Sequence, residues 1–216
     1  MAVQHVQLVQ NILAGNDELA LENRRRLDRA GVLAVNVMAS PGSGKTSLIS
    51  RTISALQGQL RVGVVEGDIA GSVDTETVLA AGAAHAVQIN TGGSCHLEAG
   101  MIHQALDCFD LHDLDLLFVE NVGNLVCPTH WSLGEHVRLC LLSTPEGHDK
   151  PIKYPMLFAE SDVVVVNKID LLPYVDFDRA AFQDSVRALN PTTPILELSC
   201  RSDEGLQAWI DWLRQR

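Results

Sequence analysis

Short, almost continuously apolar runs recur along the chain, and amphipathic stretches separate them. The apolar runs predict strands over Val32–Met38, Leu60–Glu66, His85–Ile89, Asp115–Glu120, Val137–Leu142, Asp162–Asn167 and Pro194–Leu198. Between them, helical spacing predicts helices over Thr46–Gln57, Thr75–Ala81, Cys95–Phe109, Asp178–Leu189 and Glu204–Arg214. Runs such as Val163-Val164-Val165-Val166 have no polar alternation. A strand of that kind is buried on both faces, so a mostly parallel sheet covered by helices is expected. Before the first strand, Val6, Val9, Ile12 and Leu13 recur at helical spacing. Gly15-Asn16-Asp17 reads as a break with an N-cap, and a second helix then runs to about Ala30, where Gly31 ends it. The expected organisation is an N-terminal helical extension over residues 1–30 and a nucleotide-binding α/β domain over residues 31–216, in three layers.

The turn after the first strand carries the chemistry. Residues 39–46 read Ala-Ser-Pro-Gly-Ser-Gly-Lys-Thr and open a helix. Strand, Gly-rich turn and helix N-terminus together make a phosphate cradle. It is expected to take in Pro41, Gly42, Ser43, Gly44, Lys45, Thr46 and Ser47, with Lys45 on the β- and γ-phosphates and Thr46 on Mg²⁺. Ala39 stands where the usual pattern has Gly, which is tolerable if φ stays negative there.

Three further strand ends fit a GTPase, at the sheet edge where ligands of open α/β folds bind. Asn167-Lys168-Ile169-Asp170 offers a carboxylate, Asp170, that can accept from N1–H and the exocyclic amine of guanine. Adenine presents neither pattern. Asn167 would bond the base and the adjoining loop, and Lys168 would stack on the ring. Glu120, with Gly123 three residues on, suits an acid holding Mg²⁺ and a backbone N–H sensing the γ-phosphate. In Val65-Glu66-Gly67-Asp68, Asp68 could bind Mg²⁺ or position the attacking water, and Asp74 competes for those roles. After the last strand, Ser199 and Cys200 could offer backbone N–H groups to guanine O6.

The five cysteines add a second theme. Gly92-Gly93-Ser94-Cys95-His96 delivers a thiol and an imidazole to an expected helix start, whose positive end would favour thiolate. With Cys127, these donors suit Ni²⁺ or Zn²⁺. Three ligands do not close a tetrahedral site, so a two-fold dimer interface is expected to complete it. Cys108 and Cys140 read as core. A net charge of −11 without a basic stripe argues against nucleic acid as a partner. Apolar runs too short to span a bilayer, no signal-peptide pattern and an odd cysteine count point to a cytoplasmic protein without a membrane role.

These motifs resemble the HypB family, the nickel-insertion GTPases of [NiFe]-hydrogenase maturation. The resemblance is carried by residues 40–46, 66–68, 93–97, 120–128, 150–155 and 167–172, and it extends over almost the whole chain. It implies a GTP-hydrolysing metallochaperone that dimerises with nucleotide or metal, in the class of signal-recognition GTPases and MinD-like ATPases. It also implies Cys95, His96 and Cys127 as the metal site, a HypA-like metallochaperone as partner and a hydrogenase large-subunit precursor as acceptor. The first thirty residues hold His5 and no Cys, unlike family members with a Cys- or His-rich N-terminus. A urease-maturation (UreG-like) GTPase would place its ligands as Cys-Pro-His, whereas Cys95 and His96 are adjacent. A regulatory GTPase without metal would leave these three residues unexplained.

Overall fold

The computed structural model describes residues 8–68 and 73–216, with the backbone alone for 8–12. His5 and Val6 lie outside the described residues. All seven expected strands are present: β1 (Leu33–Ala39), β2 (Val62–Asp68), β3 (His85–Asn90), β4 (Leu116–Glu120), β5 (Val137–Ser143), β6 (Val163–Asn167) and β7 (Ile195–Glu197). They form one parallel sheet in the order β3-β2-β4-β1-β5-β6-β7. Alternation along β1 sorts the helices into two outer layers. Val35, Val37 and Ala39 pack with Leu48, Ile49 and Ile53 of α2 (Lys45–Leu56) and Trp209 of α8 (Leu206–Leu213). Ala34 packs on the opposite face with Leu27 of α1 (Leu8–Ala30) and Ile102 of α4 (Ala99–Leu106). Met38 joins that face with Phe158 of α6 (Pro155–Ala159) and Phe182 of α7 (Arg179–Leu189). Two short helices, α5 (Lys150–Lys153) and α6, were not anticipated; each has proline in its first turn, where a missing N–H costs nothing.

The break expected at Gly15-Asn16-Asp17 does not occur, and α1 runs unbroken through it. A single Gly in a helix costs only about 1 kcal/mol against Ala. Asn16 caps nothing in its own helix. Its buried amide donates to the Ser132 carbonyl at 2.8 Å and accepts from the Ala99 N–H at 2.8 Å. One turn-pair on, Asn23 is fully buried, donating to the carbonyls of Ala99 (2.9 Å) and Leu133 (3.0 Å), with His103 Nδ1 3.0 Å from its oxygen. Gly134 has φ of 96° and lies so close to α1 that a Cβ would sit 2.5 Å from the Ala20 carbonyl. Asn23→Ala is expected to destabilise the protein by about 1–3 kcal/mol, because it strands two buried carbonyls. Urea denaturation of the variant measures this, and an unchanged midpoint would contradict the clamp.

The helix expected from Cys95 begins only at Ala99. Upstream N–H groups are taken elsewhere: Leu97 N–H goes to Asn121 Oδ1 at 3.2 Å, and Ala99 N–H goes to Asn16. Cys108, expected in the core, lies past the end of α4 and is exposed, whereas Cys140 is buried as expected.

Candidate functional site

The phosphate loop leaves β1 at Ala39, which pairs with Leu141 in extended backbone, so Ala at this position carries no strain. Gly42 and Gly44 take left-handed φ of 75° and 101°, and Gly44 caps α2. The loop that follows β6 braces this turn. Asn167 Nδ2 donates to the Ser43 carbonyl (3.0 Å) and Lys168 Nζ to the Gly42 carbonyl (2.6 Å). A Cβ on Gly44 would meet Asn167 Nδ2 at 2.5 Å, so only Gly fits under that amide.

Two adjoining cavities open at the C-terminal ends of the strands and share Gly44, Thr46, Ser47, Asp74 and Lys168. One, of about 540 Å³, is walled by Pro41, Lys45, Glu66, Asp68, Glu120 and Gly123. The other, of about 710 Å³, is walled by Arg51, Asn167, Asp170, Cys200 and Arg201. Together they place the expected phosphate and base residues along one slot. Asp170 Oδ1 accepts from the buried Ser199 hydroxyl at 2.6 Å, which fixes the carboxylate at the rim. Ser199 and Cys200 therefore reach the site differently from expectation. Their backbone N–H groups are already given to the Glu204 carbonyl (2.8 Å) and to Asn167 Oδ1 (3.1 Å). Ser199 orients Asp170, and Cys200 lines the wall.

In the phosphate cavity Thr46 Oγ1 donates to Glu120 Oε1 at 3.0 Å, and Lys45 Nζ stands 3.9 Å from the same oxygen. Glu66, paired in register with Glu120 across β2 and β4, is also buried. Burial, then the neighbouring Glu120 charge, raises the Glu66 carboxyl far above the usual range. Burial raises Glu120 too, against the pull of Lys45. Glu66 Oε1 and Glu120 Oε2 are buried without hydrogen-bond partners. Two facing carboxylates with orphaned oxygens beside a hydroxyl are a donor set that a hard divalent cation satisfies, so the residues fit Mg²⁺. Glu66 joins the expected Asp68 on the wall of this cavity; acids on two strands that pair side by side are the signal that finds it.

Cys95, His96 and Cys127 converge within this single chain, their ligand atoms within 4.8 Å of one another. The two sulfurs are 3.1 Å apart, and Cys95 Sγ lies 3.8 Å from His96 Nδ1. His96 stacks on Trp131 with centroids 4.7 Å apart, and burial lowers its pKa, which favours the neutral imidazole. The expected thiolate bias from a helix end is absent, because α4 starts at Ala99. The hydrogen bond with Cys127 instead raises the Cys95 thiol. Asn121 and Asn124 knit this cluster to the nucleotide slot. Asn121 follows Glu120 and binds the Leu97 N–H, and Asn124 Nδ2 donates to the Cys95 carbonyl at 3.3 Å.

The domain model described as "CobW/HypB/UreG, nucleotide-binding domain" matches residues 33–197. The hydrogenase maturation factor HypB of Rhizobium leguminosarum bv. viciae is 45% identical over 208 residues, 96% of this chain and 69% of the relative. The chain belongs to the HypB family. Among solved structures, HypB from Archaeoglobus fulgidus superposes with a TM-score of 0.87 at 40% identity, covering 94% of this chain and 98% of that one. HypB from Helicobacter pylori, solved in complex with nickel, gives 0.88 at 36%, covering 93% and 94%. The doubly covered parallel sheet and phosphate loop are thus those of a HypB-family nucleotide-binding domain. Among the described residues, no helix is long and apolar enough to cross a membrane.

Proposed function

We propose that this protein hydrolyses GTP and uses the cycle to deliver Ni²⁺ to a [NiFe]-hydrogenase precursor. One observation carries the reading. The sulfur of Cys127 and the carboxylate of Glu120 stand at opposite ends of one eight-residue stretch, which also binds the Cys95 loop through Asn121 and Asn124. Asp170 selects guanine, and Gly42 and Gly44 present N–H groups to the phosphates, while the Ser43 N–H closes the loop on the Ser40 carbonyl. Lys45 spreads the charge that develops on the β–γ bridge and the γ-phosphate. Thr46 and Glu120, with Glu66 and Asp68 on the same wall, would hold Mg²⁺, which would supply Lewis-acid neutralisation of the phosphate oxygens. Asp68 also faces the slot from which water would approach.

Gly123 packs against Pro41 so tightly that a Cβ would lie 3.0 Å from the Pro41 nitrogen. A γ-phosphate beside this contact displaces the loop that ends at Cys127. Ni²⁺, or Zn²⁺ in its place, is held by Cys95, His96 and Cys127, and a second copy of the chain contributes the remaining donor in a nucleotide- or metal-promoted homodimer. A HypA-like metallochaperone and the hydrogenase large-subunit precursor are the partners this cargo requires, in the cytoplasm. By linkage, whatever GTP does to metal affinity, metal does to GTP affinity. Ni²⁺ affinity is expected to differ at least fivefold between the complexes with GDP and with a non-hydrolysable GTP analogue, as read by isothermal titration. Equal affinities would refute the coupling.

A further inference from the structure

We infer that Glu146 is a positioning residue for the phosphate loop, acting through Ser40. The inference rests on the nucleotide reading of the slot and concerns a residue outside its walls. Strand β5 ends at Ser143, and the next residues, Thr144–Glu146, make a single 3-10 turn. Glu146 Oε2 accepts both the N–H and the hydroxyl of Ser143, each at 2.7 Å, closing a reciprocal capping box. The box needs only that one oxygen. The other, Oε1, accepts the hydroxyl of Ser40, 106 residues away in sequence and first in the phosphate loop after Ala39.

That bond decides how the loop is wound. With its hydroxyl committed to Glu146, Ser40 keeps its carbonyl turned inward, where it accepts the Ser43 N–H at 3.4 Å and the Ser43 hydroxyl at 3.0 Å. Those two bonds close the turn that aims the loop N–H groups at the anion. The same 3-10 turn reaches the base loop, since Thr144 Oγ1 donates to the Lys168 carbonyl at 2.7 Å. Lys168 holds a left-handed φ of 62° and returns its ammonium to the Gly42 carbonyl. The phosphate loop is therefore gripped from two sides, by Asn167 and Lys168 at Gly42–Ser43 and by Glu146 at Ser40.

A carboxylate this near a phosphate site would repel the ligand if it faced it. All its donors lie on Ser40 and Ser143, so its charge is spent on wall groups and what remains is geometry. Preorganised donors bind without the cost of ordering them after the ligand arrives.

The test is fluorescence titration of the full chain with mant-GDP, alongside mant-ADP. Glu146→Ala is expected to weaken mant-GDP about tenfold, with the GDP-over-ADP ratio unchanged because Asp170 is untouched. Ser40→Ala should lose about as much, and the double variant no more than either single one. Glu146→Gln, which keeps an acceptor oxygen for Ser40, should restore most of the affinity. A merely structural role for Glu146 would lower the unfolding midpoint and leave the affinity of the folded variant as it was. Wild-type affinity in folded Glu146→Ala, or losses that simply add in the double variant, would overturn the positioning role. If Glu146→Ala does not fold, Ser40→Ala and Glu146→Gln decide: wild-type affinity in Ser40→Ala, or no retention in Glu146→Gln, overturns it equally. A wild-type chain that binds neither nucleotide overturns the slot's reading and this role with it; a loss seen only in the variants bears on Glu146 alone.

Discussion

Asp170→Asn is expected to weaken GTP binding about 100-fold and to bring the preference for GTP over ATP close to one. The carboxylate is held at the rim of the larger cavity by the Ser199 hydroxyl on one oxygen, at 2.6 Å, which leaves the group oriented to accept from a purine edge. Guanine presents two N–H donors to such a carboxylate. The substitution keeps the shape and the Ser199 contact but turns an acceptor into an amide N–H₂ facing a donor. Charge-assisted hydrogen bonds of this kind are worth about 1.5–3 kcal/mol each, and an unmet donor in a closed site adds its own cost. Competition titration of GTP and ATP against a fluorescent guanine nucleotide reads the effect. A variant that still prefers GTP strongly would show that the base is recognised elsewhere.

Cys95→Ala is expected to lower Ni²⁺ affinity by roughly 100-fold or more while leaving GTP affinity within about twofold. Three donors are few for this ion, and removing a thiolate takes away the softest and most strongly bound of them. Cys95 is exposed, so its loss opens no cavity in the core. Its carbonyl, which receives Asn124, is retained by any residue at that position. Titration with Ni²⁺ in the presence of GDP measures the change. Undiminished metal affinity would move the site away from the cluster of Cys95, His96 and Cys127.

The strands and the nucleotide loops were legible in the sequence because they rest on local rules. Val163–Val166 has no polar face to offer water, so burial on both sides follows from the residues alone. The Gly-rich turn between strand and helix announces a phosphate cradle, and Asn167-Lys168-Ile169-Asp170 announces itself by following such a strand. What escaped was set by residues far apart in the chain. Asn16 reads as a helix cap until Ser132 and Ala99 come within reach of its amide. Cys95 and His96 read as a helix start until Asn121 takes the Leu97 N–H. Glu66 becomes conspicuous only once β2 pairs with β4 and sets it beside Glu120. Cys95 and His96 are neighbours in the chain, and the loop brings Nδ1 and Sγ to 3.8 Å.

Asn16 and Asn23 have a consequence for the proposed cycle. From one helix they hold the backbone at Ala99, Ser132 and Leu133, just beyond the Cys95–His96 segment on one side and beyond Cys127 on the other. Helix α1 is thus a fixed jaw behind both segments that carry the proposed metal ligands. In the proposed cycle, motion imparted at Glu120 would meet this support before it could carry both segments backward. It would instead alter the gap between Cys95 and Cys127, a distance that a bound ion would feel.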